Sequence, residues 1–131
     1  MSEELKLVND RSDLPSEPAQ PDTVRVTDYR VMPWPDGTRV TVELGLTPFR
    51  QFPAMDISIV AEDGQILRMV SVVGTLERRP APTLHLPRLT PGTRLLAVVE
   101  MLWDGAITQT VEAPFEVAGP IVRKTLEVSD V

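Results

Sequence analysis

Three Asp-Gly dipeptides, Asp36-Gly37, Asp63-Gly64 and Asp104-Gly105, each lie between runs of strand-forming residues. Asp-Gly suits the positive φ angles of a two-residue type I′ turn, so each reads as the tip of a β-hairpin. The registers that these turns impose can be checked against the apolar pattern. Centring the first on Asp36-Gly37 pairs Val31 with Val42 and Tyr29 with Leu44. The second strand of that hairpin alternates Val40, Val42, Leu44 and Leu46 with Arg39, Thr41 and Glu43, as one buried face requires. Val24 and Val26 have the opposite parity to Tyr29 and Val31, which a bulge or a strand switch near Thr27-Asp28 would reconcile. The second turn pairs Ile57 with Val70 and Met55 with Val72, and turns Asp56 and Ser58 the other way. The third pairs Leu102 with Ile107 and Val98 with Val111.

A short run from Thr83 to Pro87, with Leu84 and Leu86 on one face and His85 on the other, adds one more strand. Seven strands result: 24–32, 38–46, 54–61, 66–73, 82–87, 94–103 and 106–117. The 13 prolines and the lack of a long helical period fit many short elements separated by turns. The expected fold is all-β, a seven-stranded antiparallel β-sandwich. The 131 residues suffice for one domain with a real core. Residues 23–118 are assigned to the sandwich. Residues 1–22 read as a flexible, acidic, proline-containing tail, with Glu3, Glu4, Asp10, Asp13, Glu17 and Asp22 against Lys6 and Arg11. Residues 119–131 form a C-terminal extension. It adds an edge strand, covers the last two strands or stays loose.

Leu89, Pro91, Gly92, Thr93 and Leu95, followed by an alternating strand and a glycine turn, stand in a pattern that resembles the strand E to strand G region of fibronectin type III domains. The resemblance is centred on residues 86–105. Leu95 stands where that family places its corner tyrosine, and 38–46 lacks the tryptophan that the family usually carries in its second strand. The resemblance implies an immunoglobulin/fibronectin III-like sandwich, a class made up mostly of binding and spacer modules. Fold alone does not give function.

Composition narrows the chemistry. A formal charge of −6 argues against sequence-independent binding to nucleic acid. The absence of cysteine excludes disulfides, thiol catalysis and Cys-ligated zinc. The only histidine, His85, reads as an outward polar residue on a strand, which starves nucleophilic triads and His-based metal sites. Turn geometry accounts for each Asp-Gly, and no calcium-loop spacing occurs. No spacing selects a facing pair of carboxylates, and no glycine-rich nucleotide loop is present. The expectation is a protein that is not an enzyme and carries no cofactor or metal. MSEELKLVNDRSD lacks the basic and apolar regions of a signal peptide, and no apolar run approaches the ~20 residues of a membrane span. A cytoplasmic location without membrane insertion is expected.

Two surfaces are candidates for a partner. Leu95–Leu102 carries apolar residues on both faces, broken only by Glu100. With Leu95, Ala97, Val99 and Met101 inward, Leu96, Val98 and Leu102 face out. The third hairpin sets Ile107 and Val111 beside them, giving a stripe interrupted by Glu100 and Gln109. The competing readings are reversed faces, or a cover made by Ile121, Val122 and Leu126. The second surface is one end of the sandwich, where Phe49, Arg50, Phe52, Arg78, Arg79 and Trp103 gather on loops. There Phe52 and Trp103 either bind or plug the core. Arg78-Arg79 either meets an acidic partner, sits as a solvated loop tip or is shielded by the acidic tail. Trp34, at the other end, caps the core. The expected function is a non-catalytic protein–protein interaction or structural module, acting by self-association as a homo-oligomer or as a subunit of a larger assembly. The alternative is a carbohydrate- or small-ligand-binding module that uses the aromatic loop end.

Overall fold

The computed structural model describes residues 20–127; most of the acidic tail and the last four residues, with the expectations placed on them, lie outside that range. The first hairpin forms in the expected register. β1 (Val26–Pro33) runs antiparallel to β2 (Arg39–Leu46), with Val31 opposite Val42 and Tyr29 opposite Leu44. The register shifts between Val26 and Asp28, so Val24, Val26, Tyr29 and Val31 all point inward despite their opposed parity. The second hairpin, β3 (Ala54–Ala61) with β4 (Ile66–Val72), pairs Ile57 with Val70 and Met55 with Val72.

Only the third Asp-Gly forms a turn with both φ angles positive, 53° at Asp104 and 80° at Gly105. In the other two, glycine alone is left-handed, at 75° for Gly37 and 90° for Gly64. Their aspartates instead accept a backbone bond two residues on, Asp36 from Thr38 N–H at 3.0 Å and Asp63 from Gln65 N–H at 2.9 Å. The longer loop at Gly64 shifts the pairing at its mouth, so Val60 stands opposite Ile66.

β5 (Thr83–His85), β6 (Arg94–Trp103), β7 (Ala106–Glu116) and β8 (Val122–Thr125) complete two four-stranded antiparallel sheets, ordered β5-β2-β1-β8 and β4-β3-β6-β7. Among the described residues eight strands form rather than seven. The C-terminal extension supplies the eighth, which pairs with β1 through Arg30 opposite Arg123 and Val31 opposite Val122. It therefore lies on the far sheet from Leu96 and Val98.

The core is the space between the two inner faces. Val31, Val42 and Leu44 meet Met55, Ile57, Ile59, Val99 and Met101, all essentially without exposure. Burial of each such side chain contributes about 1.5–3 kcal/mol. Each open side of the sandwich carries one side-chain clip. On one side Arg68 Nε donates to the His85 carbonyl at 3.1 Å, joining edge strand β4 to edge strand β5. On the other, the Gln109 amide meets the main chain of Val26.

β7 departs from expectation. Met101 pairs with Gln109 and Leu102 with Ile107, leaving Thr108 as a bulge whose hydroxyl donates to the Met101 carbonyl at 3.3 Å. The bulge moves every later pair by one residue, so Val98 faces Glu112 and Val99 faces Val111. Val111 consequently lies in the core beside Ala113, Phe115 and Val117, not on the outer stripe. Gln109 is turned inward by the same slip. Trp34 also differs from its expected role. It lies half-buried on the outer face of the first sheet, donating to Thr41 Oγ1 at 3.0 Å beneath the Arg39 guanidinium, 4.7 Å from the ring.

Candidate protein-binding face

The outer face of β4-β3-β6-β7 is built by strand alternation alone. Once Leu95, Ala97, Val99 and Met101 are buried, the residues between them must face solvent. Their cross-strand partners then order the face into rows. Leu96 stands between Val60 and Pro114, and Val98 between Ser58 and Glu112. Glu100 stands between Asp56 and Thr110, and Leu102 between Ala54 and Ile107. Across β3, Val60 meets Ile66, Ser58 meets Met69 and Asp56 meets Ser71.

The result is an apolar field on both sides of an acidic row. Ile66, Met69 and Ile107 are 59%, 58% and 54% exposed, far more than side chains that a core would cover. Leu96, Val98, Leu102 and Val60 are half-buried. In the acidic row Asp56 and Glu100 are direct cross-strand partners. Ser71 donates to Asp56 at 2.6 Å. No ion pair among the described residues involves Asp56, Glu100 or Glu112. Like charges facing each other across a ladder oppose folding, so this row is set against the stability of the chain that carries it.

Sequence reasoning placed Leu96, Val98, Leu102 and Ile107 together, and they lie together here. It omitted Val60, Ile66 and Met69. Val60 shares the parity of Asp56 and Ser58 and was legible from the second hairpin. Ile66 reaches the face only because of the register shift at the mouth of that hairpin.

The loop end gathers less. Phe49 and Phe52 pack on each other with ring centroids 5.3 Å apart, and both lie against the core. Trp103 is half-buried at the end of β6, and Arg50 and Arg78 are exposed. Arg79 turns away from this end, across the outer face of the first sheet. There its Nη2 lies 2.7 Å from Asp28 Oδ2 and its Nε 3.5 Å from Glu43 Oε2. That hydrogen bond holds the Asp28 carboxyl below the ordinary aspartate range. Gly45, the cross-strand partner of Asp28, leaves the space in which this pair lies; a Cβ there would collide with the Asp28 carboxylate and with Arg79.

No group of three metal-ligating side chains occurs among the described residues, and none of their helices is long and apolar enough to cross a membrane. No protein-family model matches the chain, and no curated protein matches it in sequence.

Proposed function

We propose that this chain is a non-catalytic protein-interaction module of the immunoglobulin/fibronectin III-like class, which binds through the outer face of β4-β3-β6-β7. Strand order supports the class. Immunoglobulin-like sandwiches place their first, second and fifth strands in one sheet and their third, sixth and seventh in the other, as in the orders β5-β2-β1 and β3-β6-β7. The fourth strand joins the second sheet here, and β8 extends the first.

One observation carries the functional reading. An apolar sheet face with Ile66, Met69 and Ile107 more than half exposed has no segment of residues 20–127 over it, because the C-terminal strand pairs with β1 instead. Clustered exposed apolar surface of this kind, in two fields divided by the acidic row, marks an interaction site. The cost of keeping it wet is offset when a partner covers it.

Selection of binders to the full chain from a random peptide library tests the reading. Binders that lose at least tenfold in affinity on Val98→Lys, and are indifferent to Arg50→Glu, support it. Binders that lose affinity on Arg50→Glu or Trp103→Ala and ignore Val98→Lys overturn it in favour of a ligand site at the aromatic loop end.

A further inference from the structure

We infer that the occupant of this face is a protein segment carrying lysine or arginine between apolar residues, and not a second copy of this chain. The inference rests on the reading of the face as a binding surface, and adds the chemistry of its partner.

Charge decides between the two occupants. From the Leu102 row to the Leu96 row, the outward positions include Asp56, Glu100 and Glu112 and no lysine or arginine. The next outward row, at the rim, adds Glu62, Arg94 and Glu116, with Arg94 Nη1 4.0 Å from Glu62. Even with that row counted, five carboxylates stand against one guanidinium. Two copies joined through this face would bring ten carboxylates together with two guanidinium groups. Like-charge juxtaposition in an interface is strongly unfavourable, and no offset of the two faces supplies the missing cations.

A partner cation placed over Asp56 and Glu100 removes the same penalty. These two carboxylates oppose each other across the β3–β6 ladder and weaken the free domain. Local choices that act against the fold gather where function requires them. The apolar rows on each side, Leu96 with Val98 and Leu102 with Ile107, would take the partner's apolar residues on either side of its cation. The partner is thus an extended segment with apolar, basic and apolar positions in succession, spaced as the rows are.

The probe is a soluble peptide of repeating Leu-Ser-Lys-Ser units, whose leucines and lysines share one face of an extended chain, with its glutamate counterpart as control, titrated into the full chain by calorimetry. The expected result is binding of the lysine peptide only, weakened at least tenfold by Glu100→Lys and by added salt. In a thermal scan of the free chain Glu100→Lys raises the midpoint, because it replaces a repulsive rung by an attractive one. A residue that served only structure would not gain stability while losing binding. Equal binding of both peptides, or lysine-peptide binding unchanged by Glu100→Lys, overturns the inference. So does a full-chain dimer in light scattering that Val98→Lys converts to a folded monomer, since the face would then bind its own copy. That last result leaves the reading of the face as an interface intact. A lysine peptide that binds and ignores both Glu100→Lys and Val98→Lys overturns the inference and the reading together.

Discussion

Gln109 holds Val26 by both ends of its side-chain amide: Val26 N–H donates to Oε1 at 2.7 Å, and Nε2 donates to the Val26 carbonyl at 3.2 Å. The amide serves Val26 as a neighbouring strand would, and it joins β7 to β1 across the open side of the sandwich. With Gln109 in place Val26 is fully buried, and the two bonds satisfy its main chain where no strand does. Gln109→Ala should therefore cost about 2 kcal/mol in urea unfolding, the cost of leaving a buried backbone group unpaired. Gln109→Glu should retain part of the loss, since it keeps the acceptor for the Val26 N–H and gives up the donor.

Gly45 should resist substitution although it sits within a strand at an ordinary backbone angle. Gly45→Ala forces a methyl group into the Asp28–Arg79 pair and should destabilise by about 1–3 kcal/mol. Part of that cost belongs to displacing the pair itself. In a double-mutant cycle the penalty of Gly45→Ala should fall when Arg79→Ala is already present, measured by chemical denaturation of all four chains.

The same pair gives a pH dependence of known sign. The folded-state pKa of Asp28 is depressed, mainly by the Arg79 hydrogen bond. Its stabilisation is fully present above the ordinary aspartate value and is lost as pH falls from there through the folded value. Asp36, which accepts the Thr38 N–H, acts in the same direction. Asp28→Asn should flatten the acid-side fall in stability, read from urea midpoints between pH 6 and pH 3. Because the Arg79 side chain is half exposed, the effect at pH 7 should stay near about 0.5 kcal/mol.

The bulge at Thr108 separates two residues that sequence parity groups together. Val111→Asp places an unpaired charge in the core and should cost more than about 3 kcal/mol. Ile107→Asp should change stability by no more than about 0.5 kcal/mol, as exposed substitutions do. Thermal unfolding of the two variants side by side checks the assigned register.

What could be read from the sequence followed the range of each interaction. The Val31–Val42 and Ile57–Val70 pairs were legible because a short turn fixes them locally. An irregularity near Thr27, as a bulge or a strand switch, was legible because Val26 and Tyr29 could not otherwise share a core. The slip at Thr108 was harder, since Ile107 and Val111 keep the same parity through it. Its trace was that pairing Val98 with Val111 would have turned Phe115 and Val117 out to solvent. The rung formed by Asp56 and Glu100 could not be read at all: β3 and β6 are joined by no hairpin, and their register is set by the packing of the whole sheet. Val122–Thr125 carries too few apolar residues to declare which edge it joins.

The most direct test is where a bound peptide lands. With a library-selected peptide added to the full chain, the account predicts that amide chemical-shift changes concentrate at Val60, Met69, Leu96, Val98 and Leu102. Changes confined to Phe49, Phe52 and Trp103, with the β3–β6 face silent, would contradict it.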